Sequence, residues 1–446
     1  MLAALGLFAV ITWLLPVRAL DLEVYWRAAQ QVFVVGTEPY TRADDAGLPF
    51  TYPPTALFML RPLAVLSLDA AANLLWALNL ALAVLVIWLL PRDLARMPVG
   101  TASPPRLEPR QQDRGQRPLP QRAEPVGVAS PPRRTTSALD IAAQRLRIWG
   151  PLYVACFGGL YLTLHFHQVN LLLLLCLWPF WRALRAASPA SPIGSRRVDK
   201  RSAGHPSRGW ISHRSSTRLP LPFTSCCRQL AAGASLALGS IAKPHYGLLL
   251  LGAFGCLRIG RRPGPGVWLV LGAALGGLAL LWLSLIIAPA GSWAAWWQHV
   301  PGNTSYTALP PGHSSIAAPW NRSIAGEVAR WLVPNKFTTP VLTSPAAAQF
   351  VTTILVLGLG LATAWAVLDS VRRRARRCAS GHDGLDPTAV DLELSLIAVW
   401  VFLAAPASWT HHLVMLLPAA LVLLRDAVLD PRAGGLGRLA AVLVLA

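Results

Sequence analysis

Residues 70–91 read AAANLLWALNLALAVLVIWLLP, an apolar stretch without a charged side chain. An α-helix rises about 1.5 Å per residue, so about 20 such residues cross the hydrocarbon core of a bilayer. The rest of the chain repeats the pattern. Further apolar runs lie at 1–17, 147–164, 169–184, 229–242, 245–258, 266–288, 346–369, 391–405, 411–428 and 436–446. Of the 446 residues 54% are hydrophobic and only 13% charged, where a soluble chain carries about 25% charge. Mean hydropathy is +0.46. The spacing predicts an all-α polytopic membrane protein of about 10–11 transmembrane helices. It forms one domain over 1–446, without an internal repeat. The run at 1–17 has no basic start and no small-residue cleavage site, so it is expected to be a retained helix rather than a leader.

The net charge of +20 invites a nucleic-acid reading, but its distribution does not. Arg and Lys gather between apolar runs, at 106–147, 182–228, 258–262 and 372–377, as in cytoplasmic loops that meet anionic lipid. No nucleic-acid recognition motif accompanies them. None of the six cysteines forms a CxxC pair, so neither zinc nor a disulfide framework is expected. The segment 55–68 decides the topology. If it spans, every later basic loop moves outside. It is short, and Arg61-Pro62 interrupts it, so an interfacial course is expected. Every Arg-rich loop then shares the cytoplasmic side. That leaves 18–69 as an extracytoplasmic first loop and 289–345 as an extracytoplasmic loop. The segments 92–146 and 185–228, rich in Pro, Arg and Ser, become basic cytoplasmic linkers.

The remaining polar residues fall at the outer helix ends and in the outer loops, from segments far apart in sequence. Ionisable groups near membrane depth are costly and usually functional. Asp21 follows the first run, with Tyr25 one helical turn on; it can cap an interfacial helix, act as a base, or both. Tyr52 lies in the rigid turn Phe50-Thr51-Tyr52-Pro53-Pro54. His165-Phe166-His167-Gln168-Val169-Asn170 forms a polar hairpin. Its two histidines have no carboxylate or cysteine nearby, so no metal is expected. Gln168 and Asn170 are candidates to bond backbone or substrate hydroxyls. Lys243, before Pro244, is a cation on the outer side against the positive-inside trend, which suits an anion such as a lipid phosphate. Trp293, Trp296, Trp297 and Trp320 suit interfacial anchoring or sugar stacking. Asn321, Arg322 and Arg330 follow, and Ser408-Trp409-Thr410-His411-His412 opens the run at 411–428. Adjacent histidines on a helix point to different faces, so one of the two is expected to face the site.

These segments, in this order, resemble glycosyltransferase family 87, polytopic enzymes of GT-C fold that include actinobacterial mannosyltransferases. The pieces that carry the resemblance are Asp21-Leu22-Glu23-Val24-Tyr25, the Tyr52-Pro53-Pro54 turn, Gln168-Val169-Asn170, Lys243-Pro244, Asn321-Arg322-Ser323-Ile324-Ala325-Gly326 and Ser408-Trp409-Thr410-His411-His412. The family usually has Gly where His167 stands, and the long basic insertions are atypical. The resemblance implies a plasma-membrane enzyme with its active site extracytoplasmic. Asp21 would be the general base on an acceptor hydroxyl, assisted by His411 or His412. The donor would be a polyprenyl-phosphate sugar, mannose above all, and the acceptor a glycolipid or lipoglycan, linked α-1,2. No cofactor is implied. Lys243, Arg322 and Arg330 would meet the donor phosphate. Tyr25, Tyr52, Gln168, Asn170, Asn321, Ser408 and Trp409 would bind substrate.

Inverting transfer from a lipid phosphate needs one base and cations for the leaving group; no second carboxylic acid is required. Glu23 and Arg27 have the spacing of a helical pair. An arabinofuranosyltransferase using decaprenyl phosphate is an alternative that these residues do not separate. A lipid or polyprenol-phosphate transporter is another, but transporters usually carry repeats and midplane charges. A purely structural subunit leaves the outer polar cluster without a purpose. Single cysteines placed in 92–146 should react with a membrane-impermeant maleimide only after the membrane is opened. Labelling of intact cells would put 55–68 across the bilayer.

Overall fold

The computed structural model describes residues 2–14, 20–40, 49–96, 138–186, 222–254, 258–259, 262–263, 265–299, 305–307, 314–379 and 387–430. The run at 436–446 and most of both basic linkers lie outside the described residues. The chain is an all-α polytopic membrane protein. Among the described residues, five stretches are long and apolar enough to cross a membrane: α4 (Leu68–Ala95), Gly266–Ile287 within α10 (Pro265–Ile287), Pro345–Arg376 within α13 (Pro345–Ala379), α14 (Pro387–Ala404), and Thr410–Leu429. The other apolar runs form shorter or interrupted helices. They are α1 (Leu2–Leu14), α5 (Ala138–Cys156) and α6 (Gly158–His165) broken at Phe157, α7 (Asn170–Ala186), and α8 (Pro222–Gly239). A 3-10 turn, Pro244–Leu250, leads into the short α9 (Leu251–Phe254). A two-residue antiparallel pairing, Arg258–Ile259 with Arg262–Pro263, turns the chain into α10.

Chain direction sorts the molecule into two ends. At one end lie α2 (Leu20–Gln30), the turn 166–169, Lys243, α11 (Ser292–His299), α12 (Ile324–Leu332) and the loop before Thr410. The segment that decides the topology stays at this end. It breaks into a 3-10 turn at Pro54–Ala56, α3 (Leu57–Leu60) and a second 3-10 turn at Arg61–Val65. Its backbone returns to α2, where Trp26 donates to the Leu66 carbonyl at 2.8 Å and Gln30 to that of Ala64 at 2.9 Å. A segment with its exit bonded to α2 and only short helical pieces between has no length to cross.

At the opposite end, helix termini are tied by charge. Asp391, on α14, is fully buried between two guanidiniums, with Arg425 at 2.7 Å and Arg185, on α7, at 3.0 Å. Trp181 donates to the same carboxylate at 2.9 Å. Arg185 also donates to the Asp93 carbonyl at 2.7 Å, while the Asp93 carboxylate accepts from Trp178 at 3.0 Å. Arg374 and Glu393 form a second buried pair at 2.7 Å. Arg185 and Arg182, counted with a solvated basic linker on sequence grounds, therefore lie inside α7, and Arg185 is a core residue. Unpaired charges at this depth would be prohibitive, so each is matched.

Helix packing elsewhere relies on small residues. A Cβ at Gly233 would fall 2.1 Å from the Leu269 carbonyl, and one at Gly272 would fall 2.1 Å from that of Leu230. Only glycine lets α8 and α10 approach this closely. Breaking a buried pair leaves a charge without its partner and costs about 3–5 kcal/mol. Arg425→Leu should therefore lower the thermal midpoint of detergent-solubilised protein by several degrees. A midpoint within about one degree of wild type would mean that the pair contributes nothing net.

Candidate active site

The site is built on the turn between α6 and α7. Thr163, in the apolar α6, bonds the Gly159 carbonyl at 2.9 Å and the His411 carbonyl at 3.0 Å. The turn then needs one residue in left-handed conformation. His167 supplies it at φ 53°, the only non-glycine residue with positive φ among the described residues. The left-handed region costs an ordinary residue about 1 kcal/mol that glycine avoids, so the tight turn survives the histidine. Its consequence is that Gln168 and Asn170, both buried, serve two different clusters.

Gln168 reaches the α2 side. Its Nε2 donates to the Asp21 carboxylate. Its Oε1 accepts the Tyr25 hydroxyl at 2.7 Å and lies 3.4 Å from that of Tyr52. The two hydroxyls are 3.0 Å apart. Tyr40 holds the Tyr52 backbone by donating to its carbonyl at 2.8 Å. Glu23 pairs with Arg27 rather than with the site. Asp21 itself is only half-buried. Burial raises its pKa to about 6, against the Gln168 hydrogen bond and the Lys243 charge, which lower it.

Asn170 reaches the other side. Its Oδ1 accepts from Lys243 Nζ at 2.6 Å, and its Nδ2 donates to the His411 carbonyl at 3.1 Å. Lys243 is buried and has the neutral Asn170 as its hydrogen-bond acceptor. The imidazoles of His411 and His412 stand edge to face, centroids 4.4 Å apart. Both, and His245, lie close enough to interact with the Lys243 charge. Both imidazoles are buried. Among the described residues no cluster of three or more metal-ligating side chains occurs.

The loop before α12 closes this wall. Asn321 pairs with Trp409 as an isolated antiparallel bridge, and the Arg322 amide donates to the Ser408 carbonyl at 2.7 Å. The Asn321 side chain accepts from the Ser408 amide at 3.0 Å and donates to the Ile316 and Pro406 carbonyls at 2.9 and 3.0 Å. Ser408 donates its hydroxyl to the Phe402 carbonyl at 2.5 Å. Arg330 is buried, donates to the Ala318 and Asn321 carbonyls at 2.8 and 3.2 Å, and pairs with Glu327 at 2.5 Å. Asn321, Ser408 and Arg330 therefore latch the loop to the 406–410 turn. Their polar atoms are already engaged, which weighs against direct contact with substrate or phosphate. Arg322 is exposed, and Trp409 and Tyr52 are partly so.

The sequence reading had not singled out Thr163 or Tyr40. A lone threonine in an apolar helix and a tyrosine in a loop are ordinary residues until their partners are known. Also unforeseen is an apolar cavity of about 420 Å³ between α8, α10 and α11. Its walls include Pro53 and Pro244, the chain neighbours of Tyr52 and Lys243, with Trp293 and Trp296 at one side. Trp296 is fixed there by donating to the Thr51 carbonyl at 3.1 Å.

The described residues thus gather a polar cluster, with a half-buried carboxylate and a buried lysine, at one end of an apolar helical bundle. The sequence profile of Glycosyltransferase family 87 matches residues 50–382, and the chain belongs to that family. It is a membrane glycosyltransferase. The match covers Tyr52, Gln168, Asn170, Lys243 and the 321–330 segment; Asp21 and 408–412 lie outside it and join the site through the contacts above. No curated protein and no solved structure matches the chain.

The raised pKa of Asp21 has a consequence for stability. The folded protein holds this proton more tightly than the unfolded chain does. Between the ordinary aspartate pKa of about 4 and its folded value near 6, stability therefore falls as pH rises. Asp21→Asn should remove this slope and be more stable than wild type at pH 7.5, by up to about 3 kcal/mol. Parallel thermal-melt curves for the two proteins across pH 4–7 would refute the strained carboxyl.

Proposed function

We propose that the protein transfers mannose from a polyprenyl-phosphate donor to a hydroxyl of a glycolipid or lipoglycan, on the extracytoplasmic face of the plasma membrane. The observation that carries this reading is the pairing, across one turn, of a half-buried carboxylate with a lysine held by neutral Asn170 rather than by a carboxylate. Asp21 takes the proton from the acceptor hydroxyl. The freed oxygen bonds to the anomeric carbon from one face, and the bond to the phosphate oxygen breaks on the other. Its electron pair leaves with the polyprenyl phosphate, so the anomeric configuration inverts. A base with a pKa near 6 is ionised at neutral pH yet basic enough to accept the proton. Lys243, which donates to the neutral amide of Asn170, meets the charge that develops on the leaving phosphate. The nearby imidazoles of His411 and His412 and the exposed Arg322 are placed to add donors.

The cavity beside Pro53 and Pro244 favours a lipid-linked donor. Its walls are almost wholly apolar, which suits an isoprenoid chain whose phosphate ends at Lys243. The acceptor then approaches Asp21 past Tyr52 and Trp409. The basic helix ends on the opposite face support the orientation, since the positive-inside rule makes that face cytoplasmic. Arabinofuranose from the same class of carrier is the second reading, because the polar groups described meet a base and a phosphate and do not choose a pentose or a hexose.

Membranes holding the protein should move radiolabel from polyprenyl-phosphate mannose into a lipid product. Asp21→Asn should lower the rate by at least about 10²-fold while the protein still inserts. Label transfer from decaprenyl-phosphate arabinose instead would select the second reading. Undiminished transfer by Asp21→Asn would remove the base.

A further inference from the structure

Gln168 has the position of a substrate-binding side chain, yet its polar atoms already face protein. It is 1% exposed. Its Nε2 donates to Asp21, and its Oε1 accepts from Tyr25 at 2.7 Å and lies 3.4 Å from the Tyr52 hydroxyl. A carboxamide can turn over and exchange its oxygen and nitrogen. Here the turned form would set Oε1 against an ionised carboxylate, two acceptors in contact with no proton between them. One orientation alone satisfies ionised Asp21. The tyrosine hydroxyls rotate freely and can complete it by donating. The backbone offers no slack either, because the Gln168 amide donates to the Thr163 carbonyl at 3.0 Å and His167 holds the left-handed turn before it.

We propose that Gln168 is a positioning residue: its neutral amide, oriented by the hydroxyls of Tyr25 and Tyr52, aims the Asp21 carboxylate at the acceptor. This rests on the assignment of Asp21 as the base. A neutral donor suits the task. A guanidinium in the same place would fix the carboxylate equally well but would take away its basicity. Once Asp21 has taken the acceptor's proton, the carboxylic acid oxygen remains bonded to Nε2 and the other can carry the proton out through the half-exposed side. Asn170 gives Lys243 the matching service, so two neutral carboxamides two residues apart hold an anion and a cation without neutralising either.

The charged and titratable groups about Asp21 are few. Lys243, Tyr25 and Tyr52 interact with it. On its own helix Glu23 and Arg27 pair with each other. On the packed segments, Arg61 lies over the Phe33 ring and Asp69 starts α4. Among the described residues, the side-chain hydrogen bond acting on the Asp21 equilibrium is that of Gln168, and it favours the ionised form.

The test is the pH profile of kcat/KM for sugar transfer. Gln168→Ala should lower kcat by about 10–10²-fold, leave the acceptor KM within about threefold, and move the acid limb upward by about one unit. Gln168→Glu keeps the shape but sets a like charge on Asp21, so its acid limb should move further. Tyr25→Phe combined with Tyr52→Phe frees the amide to turn and should shift the limb in the same direction by less. This last variant carries the test if Gln168 variants do not fold. A fall in rate equal at every pH, or a rise in KM alone, would make Gln168 a structural or substrate contact and overturn the proposal. Transfer that persists in Asp21→Asn would instead sink the assignment of the base. An inactive Asp21→Asn with an unmoved acid limb in the Gln168 variants sinks the positioning role alone.

Discussion

The turn His167-Gln168-Val169-Asn170 is the joint on which the site depends. It lies between α6 and α7, and its two carboxamides face different partners because Val169 separates them. One binds the carboxylate of α2; the other binds the lysine that precedes the 3-10 turn at Pro244 and the carbonyl of His411. Three remote stretches of chain thus acquire fixed places relative to one turn. Buried amides make such joints well in an apolar setting, since each carries both a donor and an acceptor and no net charge to desolvate.

The opposite end of the bundle uses the contrary device. There the helix termini are joined by full charges, with Asp391 between Arg185 and Arg425 and with Glu393 against Arg374. Matched charges at one end and neutral carboxamides at the other fit two tasks. The first must hold helices together, where each buried charge is met by an opposite one. The second must leave a base and a cation with unused reactivity, so strong direct pairing between them would defeat it. Lys243 and Asp21 feel each other's charge, yet Asp21 accepts from one amide and Lys243 donates to another.

The loop 314–323 and the 406–410 turn form a third part of the wall, closed by an almost purely backbone latch in which Asn321 takes part with every side-chain atom. That explains why Asn321 and Ser323 stand in a recognisable motif: their side chains hold the loop to the 406–410 turn. Ser323 starts α12 by accepting from the Gly326 amide at 3.0 Å, and a Cβ at Gly326 would meet the Asn321 side chain at 2.8 Å. A motif can mark the shape of a loop as readily as a chemical group.

Hydropathy by itself determined that the chain is helical and polytopic, because an apolar run of bilayer length has no other way to satisfy its backbone. Ordered polar pieces named the family, and they drew attention to Asp21, Gln168, Asn170, Lys243 and the two histidines. Tertiary structure decided what each of them does with its hydrogen bonds. Arg330 and Arg322 are alike on paper, yet one grips two carbonyls and Glu327 while the other is exposed. Arg185 looked like the start of a basic linker and is a core ion. The physical reason is range: helix formation depends on neighbours a turn away, whereas the pairing of a donor with an acceptor more than a hundred residues distant exists only once the chain has folded.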